Sequence, residues 1–203
     1  MKRSAPLRLC NRLLLSVLVT LALVSCGGGK KTATKPRDPN AVAKSFLTAA
    51  ATGKFGPALK RRFAPFAGGY STIVSERITD QFGLIAIKHG RAADAIVMHL
   101  SGALWTVDFK SPIIVEPLGP KPGSRTQVVQ VAAELRRLKG KAEAAVIYLD
   151  GTPLESKLAR TGSHATLFAN LLTPLAPGLH NAAVFATDGL TATARAWTFI
   201  SVK

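Results

Sequence analysis

The sequence predicts a β-rich chain in two parts: an α+β body, in which a short helical pair lies on an antiparallel sheet, followed by an all-β sandwich. Three observations carry that expectation. Between residues 38 and 66 apolar residues recur at helical spacing, from Tyr70 onward β-branched and aromatic residues take over, and a proline- and glycine-rich stretch at 111–124 (SPIIVEPLGPKPGS) separates two sets of strand-like runs. Helices followed by consecutive strands point to α+β, and short runs at regular spacing with turn residues between them point to a sandwich.

The chain opens with a cationic start (Lys2, Arg3, Arg8, Arg12), a twelve-residue apolar run from Leu13 to Val24, then Ser25 and Cys26. That is the layout of an export signal, and the run falls short of the roughly 20 residues a spanning helix needs. Leu23-Val24-Ser25-Cys26 resembles the lipobox of bacterial lipoproteins. The resemblance implies that 1–25 is cleaved, that Cys26 carries diacylglycerol, and that the mature chain sits on the extracytoplasmic face of the cell membrane. Gly27 is not the aspartate of inner-membrane retention, which leaves the outer membrane open for a Gram-negative host. An ordinary secretory signal with an incidental cysteine is the alternative.

Residues 26–37 carry Gly, Lys and Pro with no large apolar residue, the composition of a flexible tether. Lys30, Lys31, Lys35 and Arg37 would lie beside the lipid, where a basic cluster adds about 1 kcal/mol per charge against an anionic surface. Asp38-Pro39 then starts a helix whose apolar face is Val42, Ala43, Phe46, Leu47 and Ala50 and which Gly53 ends. Gly56-Pro57 starts a second, with Leu59 and Phe63 on one face, Lys60-Arg61-Arg62 elsewhere, and Pro65 and Gly68-Gly69 closing it. Strands are expected at 71–74, 82–87, 95–100 and 104–109, the last three joined by turns at His89-Gly90-Arg91 and Ser101-Gly102 as a meander. In the last strand Trp105, Val107 and Phe109 share one face.

Pro117 to Gly123 can form neither helix nor central strand, so a boundary is placed near residue 111, giving 38–110 and 111–203 as two domains. Beyond it, strands are expected at 127–135, 144–149, 165–172, 181–187 and 191–202, with Asp150-Gly151 and Asp188-Gly189 as tight turns.

Two further resemblances follow. Ala41 to Leu47, Thr52-Gly53-Lys54-Phe55 and Trp105 to Phe109 resemble the opening of an NTF2-like (SnoaL-type) domain, truncated here, whose full form encloses a ligand pocket. Pro112-Ile113 with Pro122-Gly123-Ser124, Val146 to Gly151, Leu175 to His180 leading into Ala183 to Ala186, and Ala196 to Ile200 resemble the bacterial Ig-like domains of envelope proteins, in a disulfide-free version. Cys10 leaves with the signal, so the mature chain has no cysteine pair and no thiolate chemistry; both domains must be held by apolar burial.

Four of the 27 basic residues and none of the 11 acids precede residue 26, leaving 23 against 11 and a net charge of +12. Such an excess suits polyanions, and export replaces nucleic acid with phospholipid headgroups and envelope polymers. The densest basic segment after Lys60-Arg61-Arg62 is Arg136, Arg137, Lys139 and Lys141, in a loop between predicted sandwich strands; it is the candidate polyanion contact, against a reading as a solvated, edge-protecting loop. The four histidines (His89, His99, His164, His180) stand apart from one another and from carboxylates at ligand spacing, and no G-x-S-x-G elbow is present. His180 is expected to orient a turn, and Trp105 and Trp197 to pack in strands. No metal or cofactor is expected.

The expectation is a membrane-anchored extracytoplasmic lipoprotein that binds or organises envelope components without catalysis. A ligand-pocket accessory lipoprotein is the alternative, favoured by a cavity among Phe46, Phe63 and Trp105, and an envelope hydrolase the third reading.

Overall fold

In the computed structural model, residues 38–109, 111–139 and 144–203 are described; the signal, Cys26, the tether and Lys141 lie outside them. Asp38 caps helix α1 (Pro39–Ala51) by accepting from the Asn40 amide at 3.0 Å. The helix stops where Gly53, at φ +90°, turns back so that its N–H reaches Ala50 O and that of Lys54 reaches Ala49 O, a Schellman closure. Helix α2 (Pro57–Phe63) and a 3₁₀ turn (Ala64–Phe66) follow.

Strands β1 (Ser71–Arg77), β2 (Phe82–His89), β3 (Ala92–Ser101) and β4 (Leu104–Asp108) then form an antiparallel sheet in sequence order, the last three as the expected meander and β1 added at the edge. The helices lie on one face of this helix-backed sheet, burying Ala43, Phe46, Phe63 and Phe66 against Ile85, Ile87, Ile96 and Met98. Trp105 and Val107 pack on this same cluster, on the face their alternation predicts.

The remaining strands make two sheets. β5 (Ile114–Gly119), β7 (Gln130–Arg136), β10 (Lys157–Thr161) and β11 (His164–Asn170) form the outer sheet in the order β10-β11-β7-β5. β6 (Arg125–Thr126), β8 (Ala144–Leu149), β9 (Thr152–Leu154), β12 (Gly178–Thr187) and β13 (Ala192–Ser201) form the middle sheet in the order β6-β13-β12-β8-β9. Every pairing is antiparallel except β6 on β13. The chain is thus mostly antiparallel β-sheet, with two short α-helices among the described residues. Pro117 sits in β5, the edge of the outer sheet, where no ladder amide is needed.

The hydrophobic pattern does not mark β6, β9 and β10. Every residue of β10 is exposed, and β6 is a single two-residue bridge, so neither carries an apolar alternation.

The middle sheet is buried on both faces. One face packs Ile147, Leu149, Val184, Trp197 and Phe199 against Val115, Val131, Leu135 and Leu167 of the outer sheet. The other packs Tyr148, Ala183, Phe185, Ala192 and Ala196 against Val74, Phe82, Leu84 and Val97 of the helix-backed sheet. The order is therefore helices, helix-backed sheet, middle sheet, outer sheet. The predicted boundary near 111 falls between β4 and β5, and across it the two β bodies share a buried interface within one compact unit. Among the described residues no helix is long and apolar enough to cross a membrane.

Candidate functional site

Of the predicted basic loop, the described residues are Arg136, Arg137 and Lys139, and Arg136 is taken up by carboxylates. Arg136, at the end of β7, points its guanidinium at two carboxylates, Glu134 Oε2 at 2.7 Å and Glu116 Oε2 at 2.8 Å. The Glu134 hydrogen bond raises the Arg136 pKa, and the Arg136 and His164 contacts hold the Glu134 carboxyl below its ordinary range. Leu138 then drops into the sandwich core, so Arg137, at φ +64°, and Lys139 flank it as separate exposed groups. Cys26 and Lys141 lie outside the described residues.

Two of the histidines meet carboxylates that lie far off in sequence. His164 meets Glu134 at 3.1 Å, His99 stacks on Phe82 and His180 lies in a turn network. There His180 Nδ1 is 2.6 Å from Asp150 Oδ2 and Nε2 is 2.8 Å from Ala176 O, while Asp150 Oδ1 accepts from the Asn181 amide at 2.9 Å and from its side-chain amide. The network closes the β8–β9 turn, matching the turn-orienting role expected of His180. No group of three His, Cys, Asp or Glu is placed to hold a metal ion among the described residues.

Two arginines that the motif reading did not single out instead come together at a cleft of about 620 Å³ along the free edge of β13. One wall is the β2–β3 turn and the start of β3, from Arg91 to Asp94; the other is Val115 of β5 with Arg195 beside it, and Pro122-Gly123 closes one end. Thr198 Oγ1 donates to Arg91 O at 2.5 Å, tying the turn to the strand, and Arg195 Nη1 donates to Val115 O at 3.1 Å. At the first wall, Arg62 of α2, which also lines the cleft, grips Asp94 through two hydrogen bonds of 2.6 and 2.7 Å, which raise the Arg62 pKa.

That pairing consumes the carboxylate of the cleft. Arg91 and Arg195 both line the cleft and are exposed, and neither forms an ion pair among the described residues. Guanidinium donors suit planar carboxylate or phosphate groups, and the volume lies within the range of small-ligand sites. One trace of the site existed in the sequence: Arg195 is the one charged residue in the small-residue run Thr191 to Ala196.

Phe46 and Phe63 pack directly on each other, and Trp105, half-buried on the same cluster, borders a recess of about 70 Å³ with Leu84, Ile85 and Met98. The Phe46 ring lies 5.4 Å from that of Phe63, 5.2 Å from Phe55 and 4.7 Å from Phe109, and Phe63 is fully buried. The apolar side chains there make a packed core.

No family model matches the chain, and no curated protein matches it. Among solved structures, the endo-β-1,4-mannanase from Thermotoga petrophila is similar at 12% identity with a TM-score of 0.36, over 47% of this chain and 21% of the mannanase. The chain thus spans about a fifth of that enzyme. PcoC, a methionine-rich copper resistance protein from Escherichia coli, is similar at 16% identity with a TM-score of 0.32, over 43% of this chain and 99% of PcoC. Its selenomethionine form gives 13% identity and a TM-score of 0.29.

Proposed function

We propose that this chain is a lipid-anchored, extracytoplasmic binding module of the cell envelope, without catalysis of its own, that captures an anionic envelope component in the β13-edge cleft. Cys26 carries the lipid, the segment 26–37 spaces the folded part from the membrane, and the helix-backed and sandwich parts are a truncated NTF2-like body and an Ig-like body. One observation carries the binding reading: Arg91 and Arg195, neither in an ion pair among the described residues, line a cleft of about 620 Å³ in which the Asp94 carboxylate is already engaged by Arg62. The packed phenylalanines of the helix-backed sheet turn the reading away from a pocket inside the NTF2-like body, and Arg136, bound to Glu116 and Glu134, turns it away from the basic loop.

Two measurements test it. Mass spectrometry of the native protein should find Cys26 as the first residue with lipid attached; any other start overturns the anchor. Full-length protein in detergent should retain polyphosphate, the anionic probe, in a salt-dependent manner. An Arg91→Ala, Arg195→Ala variant should lose that retention while an Arg137→Ala, Lys139→Ala variant keeps it. Equal retention by both variants overturns the cleft assignment.

A further inference from the structure

We propose that the cleft takes an extended, carboxylate-bearing polypeptide segment, which adds to the free edge of β13 as a further strand; this rests on the cleft reading above and specifies its ligand. Hydrogen-bond parity fixes which main-chain groups of β13 point outward. In an antiparallel ladder a residue's N–H and C=O point to the same side, and the side alternates along the strand. Asn181 faces β8, donating to and accepting from Asp150, so Ala182, Val184 and Ala186 face β13 and are met there by Trp197, Arg195 and Thr193. The even-numbered residues of β13 therefore face outward. Thr198 and Ile200 do so visibly, since Thr198 O accepts from Gly123 N and Ile200 N donates to Ser124 O, both at 2.8 Å.

Two residues earlier that outer side changes character. The outward N–H and C=O of Ala194 and Ala196 meet no hydrogen-bonding partner among the described residues, and both residues line the cleft. Ala196 is 5% exposed, and a backbone pair so deeply placed is nearly always bonded. From Thr193 to Trp197 the edge offers about 13 Å at ~3.3 Å per residue, room for a short run of extended chain before the 123–126 segment takes over at Thr198.

The floor and the walls select one chemistry together. Donors and acceptors repeating every second residue are matched in register by a peptide backbone, as in binding by strand addition, whereas a phosphate or sugar polymer has no such repeat. The two arginines at the rims, one on each wall, then choose side chains: alternate positions of an added strand point to opposite faces, and a carboxylate on either face meets Arg91 or Arg195.

Fluorescence anisotropy with full-length protein in detergent tests this, using a labelled octapeptide of alternating glutamate and threonine and the same peptide N-methylated at every second residue. The plain peptide should bind; N-methylation, which removes main-chain donors and keeps every charge, should weaken it at least about tenfold. The Arg91→Ala, Arg195→Ala variant should weaken the plain peptide by about tenfold or more. On binding, the Ala194 and Ala196 amides should become protected from hydrogen exchange. Equal binding of the two peptides, both sensitive to the arginine variant, overturns strand addition and leaves an anion cleft of the polymer-binding kind. Absence of peptide binding overturns the inference, and retention of polyphosphate by the same sample shows that the cleft reading stands without it.

Discussion

The two faces of the middle sheet are built differently. Toward the outer sheet the contacts are made by large apolar side chains, Trp197, Phe199, Ile147 and Leu149 packing on aliphatic partners, with the indole N–H of Trp197 donating to Pro120 O at 2.9 Å and Arg195 Nη1 to Val115 O at the edge. Toward the helix-backed sheet the middle sheet presents mostly alanine (Ala183, Ala192, Ala194, Ala196) around Phe185 and Tyr148, and polar contacts cross the seam. Tyr148 Oη donates to Glu76 Oε2 at 2.7 Å, Thr198 Oγ1 donates to Arg91 O, and the Gly151 turn abuts Ile73 O. Small side chains let two sheets come close, and close backbones bring polar groups within reach. The first face resembles the interior of a domain, while the second resembles an interface that has become part of one.

The largest effects should test whether the two faces unfold as one. Phe199→Ala on the first face and Phe185→Ala on the second each remove a fully buried ring, at a cost of about 3–5 kcal/mol. Both should give a single transition in which far-UV circular dichroism and tryptophan fluorescence coincide. A second transition in Phe185→Ala, with the sandwich melting at its original temperature, would show that the helix-backed sheet is only docked.

Gly151→Ala sharpens the comparison at one contact. Gly151 has φ +86°, and a Cβ there would stand 2.7 Å from Ile73 O across the seam. Gly162, in the β10–β11 turn, has φ +62° with nothing within 4 Å. Gly162→Ala should therefore cost only the left-handed backbone term, about 1 kcal/mol, and Gly151→Ala about 2–3 kcal/mol, both read from urea midpoints. Equal losses would mean that the seam yields freely at this point.

How far the sequence foretells this difference depends on which residues carry it. The sandwich face was legible because Trp197 and Phe199, or Val131, Ala133 and Leu135, fall at alternate positions, and α1 was legible because Asp38, Pro39 and Gly53 perform at its ends what their side chains dictate. The second face leaves a fainter trace: in Ala182 to Ala186 the positions that should be polar are apolar too, the pattern of a strand covered on both sides. An unbroken apolar run states that a cover exists without stating which element supplies it. The cleft was illegible for a related reason. Arg91 ends one hairpin and Arg195 lies in the final strand, and their convergence is a product of packing that no local spacing encodes. For Arg136 the difficulty runs the other way, because the density of the basic loop in sequence says nothing of Glu116 and Glu134 arriving beside it.

Tyr148→Phe tests the polar character of the seam at smaller scale. Burial first, and then the hydrogen bond to Glu76, push the Tyr148 hydroxyl pKa well above the usual tyrosine range, so the group stays a neutral donor at any ordinary pH. Its removal should cost about 1–2 kcal/mol, with no change in the single transition. A neutral substitution would mean that Glu76 is as well solvated without it, and the seam would then rest on apolar contact alone.

The smallest effect concerns Asp150, beside the same seam. Burial pushes its carboxyl up, but hydrogen bonds from His180 and Asn181 outweigh that, and the pKa is net lowered. The unfolded chain titrates this group near the model-peptide value of about 3.9, so between that pH and the lower native value the unfolded state binds more protons and stability falls as pH drops. The contribution is fully present above about pH 4 and is lost as pH descends through the native pKa. With Asp150 part-exposed, only a modest share of the total is at stake. Asp150→Asn can still accept from the Asn181 amide but offers no charge to His180. Wild type should therefore exceed Asp150→Asn in unfolding free energy at pH 6, and the gap should narrow as chemical denaturation is repeated at successively lower pH below 4. A gap that stays constant across that range would assign the turn's strength to hydrogen-bond geometry and not to the carboxylate's charge.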